Sequence, residues 1–164
     1  GPLPEIWSIG HRNSQGATLS PDGVLWTHEH GPQGGDEINL PKAGLNYGWP
    51  VITYGQNYGG GKIGDGITEK AGLEQPLYHW VPSIAPSGMA FLTSERYGPA
   101  LRGNLFVASL KFRKLVRLQV EAGRITREER IDVGERVRDV RQGPDGLLYL
   151  VTDSPEGKLL RWVP

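Results

Sequence analysis

Ser20-Pro21-Asp22-Gly23-Val24-Leu25-Trp26 returns near the end of the chain as Gly143-Pro144-Asp145-Gly146-Leu147-Leu148-Tyr149. In both copies Pro-Asp-Gly bends the backbone and an alternating apolar run follows, a strong hairpin signal. Arg102-Gly103-Asn104-Leu105-Phe106-Val107 is a fainter third copy. A turn feeding a strand, repeated along one chain, describes an all-β protein assembled from similar blades.

Working outward from these copies, short strands bounded by Gly, Pro or Asp-Gly are predicted near 16–19, 24–29, 37–40 and 51–54. Further strands are predicted near 88–92, 104–110, 114–121, 124–133, 137–141, 147–152 and 158–163. Helical periodicity is weak throughout. Eleven strands make about three four-stranded blades, read as one domain over residues 1–164, whereas closed propellers have ~4–8 blades. An arc of three leaves two blade faces apolar and uncovered, so a partner is expected, either a missing half or a second copy of the chain. The loop between Tyr54 and Pro76, with Gly55-Gln56-Asn57-Tyr58-Gly59-Gly60-Gly61, is long enough to carry function.

Composition agrees with strands and tight turns: there are 24 glycines and 13 prolines in 164 residues. Lys plus Arg and Asp plus Glu are 18 each, and this neutral total argues against a nucleic-acid binder. Without cysteine there is no disulfide and no thiolate-held zinc. No apolar run approaches the ~20 residues that span a bilayer, so no membrane insertion is expected. The opening Gly1-Pro2 reads as a processed or truncated terminus or an expression remnant.

Three segments carry chemistry. In Gly10-His11-Arg12-Asn13, a guanidinium beside an amide offers a fork for a planar anion; the plainer reading is an ion pair within a turn. Glu29-His30-Gly31-Pro32-Gln33-Gly34-Gly35-Asp36-Glu37 joins carboxylates to turn carbonyls, hard oxygen donors of the kind calcium takes; solvent-facing carboxylates are the alternative. His28 and His30, two apart on an extended strand, share a face as a possible transition-metal pair, without an evident third ligand. Between Lys111 and Arg141 ten Lys or Arg face six Asp or Glu. Lys111 with Arg113, and Arg136 with Arg138, share faces if extended, which suits carboxylates or phosphates, or else forms a solvated strand edge. Trp26, Trp49, Trp80 and Trp162 are expected in blade packing, and His79 as a structural histidine.

Taken in order, these segments resemble the soluble aldose sugar dehydrogenases that use pyrroloquinoline quinone, within the glucose/sorbosone dehydrogenase family. The matching motifs are Gly10-His11-Arg12-Asn13, Glu29-His30-Gly31-Pro32, Gly35-Asp36-Glu37-Ile38-Asn39-Leu40 and Asn46-Tyr47-Gly48-Trp49-Pro50. Pro82 to Gly88, Ser109-Leu110-Lys111, Arg136-Val137-Arg138-Asp139, Gly143 to Gly146 and Leu150-Val151-Thr152-Asp153 complete them. The resemblance implies half of a six-bladed propeller, with the quinone (PQQ) held by Arg12, Asn13, Tyr58, Lys111, Arg113, Arg136 and Arg138. It implies a calcium on the carbonyls of Gly31 and Pro32, and a second on Glu37 and the Tyr47 carbonyl. It further implies an aldose substrate, hydride transfer to the quinone, and a periplasmic or secreted location. The family's catalytic histidine base belongs to an N-terminal half absent here, and none of His11, His28, His30 or His79 lies in a matching context. The chain alone is therefore expected to lack efficient turnover. One alternative is a non-catalytic three-blade module that dimerises into a six-bladed ring and binds calcium or sugar. A lactonase-type calcium hydrolase fits least, because its acidic axis contrasts with the basic residues here.

Overall fold

The computed structural model describes residues 3–164; Gly1 and Pro2 lie outside the described residues. Eleven strands and no helix are found among them: β1 (Ser14–Leu19), β2 (Leu25–Glu29), β3 (Asp36–Asn39), β4 (Tyr78–Trp80), β5 (Pro86–Phe91), β6 (Leu105–Ser109), β7 (Lys114–Glu121), β8 (Arg124–Asp132), β9 (Val137–Gln142), β10 (Leu148–Thr152) and β11 (Leu159–Arg161). They form antiparallel sheets in the orders β1-β2-β3-β4, β5-β6-β7-β8 and β9-β10-β11. The third sheet thus has three strands among the described residues, where four were expected.

The repeated motif has one structural meaning. Ser20 N donates to Val24 O at 2.9 Å and Gly23 N to Ser20 O at 2.9 Å; Gly143 N donates to Leu147 O at 2.8 Å and Gly146 N to Gly143 O at 2.9 Å. Gly23 and Gly146 take φ of 83° and 80°, the left-handed region that glycine enters without a Cβ penalty. Each of the three copies stands immediately before the second strand of its sheet.

The chain divides into two compact units, Gly1–Gln15 with Leu25–Ser83, and Gly16–Val24 with Ile84–Pro164. In the second unit the core lies between the two sheets it contains: Leu92, Phe106, Ala108 and Leu115 pack with Val137, Val140, Leu148 and Leu150. Tyr97 pins this core, its hydroxyl donating to Trp162 O at 2.6 Å and accepting from Leu148 N at 2.7 Å. Leu148 is fully buried, so Tyr97→Phe leaves its N–H without a partner. A loss of ~1–2 kcal/mol is expected, read as a lower urea midpoint at unchanged m. An unchanged midpoint would show that both groups find other partners.

One predicted strand is absent and one strand present was not predicted. Residues 51–54 do not form a strand: Val51 N and Ile52 N both donate to Gly48 O, at 2.7 and 3.0 Å, so the chain curls into a turn around Trp49-Pro50. Conversely, β4 is three residues between Pro76 and Pro82, too short for periodicity to mark; it forms because β3 offers its edge, with Asp36 opposite Trp80 and Ile38 opposite Tyr78.

Candidate cofactor and cation site

In the first unit, the turn after β2 is tightly folded. Gly31 N donates to Asp36 Oδ1 at 3.0 Å, and Ser83 Oγ donates to the same oxygen at 2.9 Å. Asp36, 1% exposed, therefore ties the turn together. Gln33 and Gln56 exchange backbone hydrogen bonds of 3.1 and 3.0 Å, and Gly59 N donates to Gln33 Oε1 at 3.1 Å. These bonds fasten the glycine-rich loop of Tyr58, itself 74% exposed, to the Gly31-Pro32 turn.

Arg12 reaches over the same turn. Its Nη1 donates to His30 O at 2.9 Å and to Gly31 O at 3.0 Å, and its guanidinium lies 5.3 Å from the Trp49 ring centre. The Gly31 carbonyl thus already faces a cation. Asn13, exposed at its side chain, accepts from Gln15 Nε2 at 2.7 Å, and its backbone carbonyl accepts from His30 N at 2.9 Å. A cavity of about 10 Å³, room for one water-sized body, is lined by Arg12, Glu29, Gly31, Glu37, Tyr47 and Thr53 among others. Four residues named from sequence, Arg12, Gly31, Glu37 and Tyr47, are brought together there.

The charge at this cavity is unusual. Glu29 and Glu37 are register partners across β2 and β3, and Glu29 is 5% exposed. Burial, the Glu29 charge and a Glu29 hydrogen bond raise the Glu37 carboxyl to about 7, against the opposing pull of the Asn39 amide and His11. Glu29 Oε2 lies 3.2 Å from His11 Nδ1 and accepts from Ser14 Oγ at 3.3 Å, while Ser8 Oγ is 2.8 Å from His11 Nε2. Glu37 makes no ion pair with Lys or Arg among the described residues.

The donor set suits a hard cation better than a transition metal. Among the described residues no three His, Cys, Asp or Glu side chains cluster to hold a metal, so any metal here must use carbonyl oxygens as well as carboxylate. The Tyr47 hydroxyl is occupied, donating to Leu40 O at 2.5 Å and accepting from Lys42 N at 3.1 Å, which leaves the Tyr47 carbonyl for such a role. The proposed His28–His30 pair does not assemble a site: His28 is fully buried with neither ring nitrogen hydrogen-bonded, and burial with the His30 charge lowers it to about 3.

In the second unit, Lys111 and Arg113 lie outside any strand, in the bend between β6 and β7. The shared face predicted for an extended segment is therefore not their geometry, because Arg113 takes φ of 56° and turns the chain. Lys111 N donates to Ile84 O at 3.2 Å, and its Nζ lies 5.3 Å from the Phe112 ring centre. Lys114 pairs with Asp132 at 2.5 Å. Arg136 and Arg138 do share a side, since one carboxylate, Asp153, meets both at 2.9 and 3.1 Å.

Sequence reading missed Glu29, Trp49 and Asp153 as parts of these sites. Glu29 was quoted within its motif, but only the strand register shows that it faces Glu37. Trp49 was expected in blade packing, and it is half-buried beneath Arg12 instead.

Comparison with known proteins gives the family and the fold. A family model described as Glucose / Sorbosone dehydrogenase matches residues 1–161. Aldose sugar dehydrogenase YliI of Escherichia coli K12 is 48% identical over 168 residues, covering 100% of this chain and 45% of that protein. A crystal structure of a glucose dehydrogenase superposes with a TM-score of 0.92 at 50% identity, over 99% of this chain and 47% of the other. The PQQ-bound aldose sugar dehydrogenase of Streptomyces coelicolor gives 0.72 at 27% identity, over 98% and 46%. The chain spans about half the length of the relatives it matches.

Proposed function

The chain belongs to the glucose/sorbosone dehydrogenase family, and from that premise we propose that it is part of a quinoprotein oxidising aldose sugars with calcium-bound pyrroloquinoline quinone. Its sheets are propeller blades of that family's fold. The observation that carries the reading is Arg12, whose guanidinium rests on the His30 and Gly31 carbonyls beside a cavity lined by Glu37 and Tyr47.

When bound, the quinone supplies the hydride acceptor. The residues of this chain have separate tasks. Arg12 and Asn13 would present donors to the quinone, and Tyr58 would contact it from a loop fastened at Gln33 and Gln56. Lys111, Arg113, Arg136 and Arg138 would meet the cofactor's carboxylates with their positive charges. The Gly31 and Pro32 carbonyls would hold one calcium, and Glu37 with the Tyr47 carbonyl would hold another. No base for the sugar hydroxyl proton is assigned among this chain's four histidines. The protein works in the periplasm or is secreted; among the described residues no helix is long and apolar enough to cross a membrane.

The test uses the intact protein with calcium and pyrroloquinoline quinone, following quinone absorbance and dye-coupled aldose oxidation. Binding with turnover is expected; no binding overturns the reading. Arg12→Ala should raise the Kd for the quinone about 10- to 100-fold, the range for one charge-assisted contact, with a much smaller change for calcium. Equal losses of both ligands would mean that Arg12 acts on folding alone.

Glu37 gives a second expected result. Its folded value of about 7 lies above the ordinary 4.5, so between those pH values the folded state holds a proton that the unfolded chain has released. Without calcium, the Glu37 contribution to stability should therefore fall as pH rises from about 4.5 to 7, by at most ~3 kcal/mol, against the opposite trend that His28 imposes. Glu37→Gln should remove that slope in chelator, and should remove calcium-dependent stabilisation at pH 8. Thermal midpoints across pH, with calcium and with chelator, measure both. Calcium stabilisation that survives the substitution would exclude Glu37 as a ligand.

A further inference from the structure

Asp153 follows β10, beyond the irregularity at which Val151 pairs with Asp139 but Thr152 pairs with Val137, so that Arg138 is the extra residue of β9. A bulge of this kind re-aims side chains. Asp153 N donates to Arg136 O at 2.8 Å, which fixes its backbone against Arg136. Its carboxylate then divides between two guanidinium groups. Oδ2 accepts from Arg136 Nε at 3.0 Å and lies 2.9 Å from Arg136 Nη2, while Oδ1 lies 3.1 Å from Arg138 Nη2. Each fork keeps a terminal nitrogen that Asp153 does not engage, and each arginine side chain is about half exposed.

The same carboxylate borders a cavity of about 290 Å³ whose lining includes Arg113, Glu135, Arg136, Glu156 and Lys158. Lys158 pairs with Glu135 there, whereas Arg113 has no ion pair among the described residues. Arg113 also occupies the left-handed region at φ 56°, a conformation that a non-glycine residue keeps only when its surroundings require it. A strained arginine and a pinned arginine therefore line one cavity.

We propose that Asp153 is a positioning residue, holding Arg136 and Arg138 side by side so that the remaining donors of both forks bind the carboxylates of one polyanionic ligand. This rests on the quinone reading above, which supplies a tricarboxylate as that ligand. Two guanidinium groups brought close repel each other, and each long side chain loses rotamer freedom on being fixed. A shared counter-charge settles both before the ligand arrives, which lowers the ordering that binding must impose. Asp153 also repels the ligand, but at half-exposed side chains that repulsion is screened by water and salt. The ordering effect is the larger, and removal of Asp153 weakens binding.

The test is a double-mutant cycle on quinone binding in the intact protein with calcium, measured by titration calorimetry. Asp153→Ala should raise the Kd about tenfold. Introduced into Arg136→Ala/Arg138→Ala, it should add no further loss. The thermal midpoint without quinone is recorded for every variant. A purely structural role would lower that midpoint and weaken binding alike in both backgrounds, which overturns the proposal. So would an Asp153→Ala protein that binds as tightly as the wild type, or tighter. A wild type that binds no quinone removes the functional reading and this inference with it; wild-type binding with an unaffected variant removes the inference alone.

Discussion

Relative to His28→Leu, the wild type is expected to lose stability strongly as pH falls from 7 towards 4. His28 is fully buried on β2, and neither ring nitrogen has a hydrogen-bond partner. Burial first, and the His30 charge second, lower it from 6.5 to about 3. Between those values the unfolded chain binds a proton that the folded chain refuses. The His28 contribution to stability therefore rises with pH across the window, is complete above about 6.5, and is lost as pH falls towards 3, opposite in sign to the Glu37 contribution. At ~1.4 kcal/mol for each pH unit, the gap sets a ceiling of about 5 kcal/mol, comparable to the whole stability of many domains. Leucine fills a similar volume and brings no unpaired nitrogen, so the variant should match or exceed the wild type at pH 7. Urea midpoints at several pH values between 7.5 and 4 measure the difference. Wild type and variant losing stability in parallel would show that His28 escapes to solvent or finds a partner when protonated.

Such a residue is hard to recognise in sequence, and the reason extends to the whole site. His28 and His30 read as a pair because extended neighbours two apart share a face. Whether that face meets solvent or core depends on β3 and on what packs behind it, which are distant in sequence. Local signals fared better. The Pro-Asp-Gly copies bend the chain by their own chemistry, and both form the expected turns with matching hydrogen bonds. β7, predicted over residues 114–121, has those bounds because alternation and flanking turns define it locally. Arg12, Gly31, Glu37 and Tyr47 were named through the family resemblance rather than by local signals, and all four line one cavity.

The parts that were not legible depend on long-range register or on compact backbone geometry. Glu29 opposite Glu37, and Asp153 between two arginines, are pairings across strands that spacing does not display. Lys111 and Arg113 look like a strand, yet a left-handed arginine turns the chain between them and β7. These departures fall at the places where the chain handles charge. There, strand register and turn geometry outweigh the ease of local conformation.

Gly31→Ala is the substitution expected to damage the site most. A Cβ at Gly31 would lie 2.1 Å from Gly34 O and 2.4 Å from Gly35 O. Those atoms are backbone, fixed by the Gly31–Asp36 bond and by Gly35 N donating to Trp80 O at 2.8 Å, so they cannot rotate aside as a side chain would. The turn must open, and Asp36, Arg12 and the Gly31 carbonyl then lose their present arrangement together. Overpacking that side chains can absorb costs ~1–3 kcal/mol; with backbone on the far side and a buried carboxylate losing a donor, at least ~3 kcal/mol is expected. Gly59→Ala is the matched control. Gly59 has φ of 88° but open space where its Cβ would stand, so it carries conformational strain alone, ~1–2 kcal/mol. Urea denaturation of both variants ranks crowding against strain, and calcium titration follows the carbonyl. Gly31→Ala should lose both stability and the calcium-dependent shift in midpoint, while Gly59→Ala keeps the shift. Equal costs for the two would mean that the Gly31 turn is looser than its carbonyl contacts imply, and that its oxygen is not held ready for a cation.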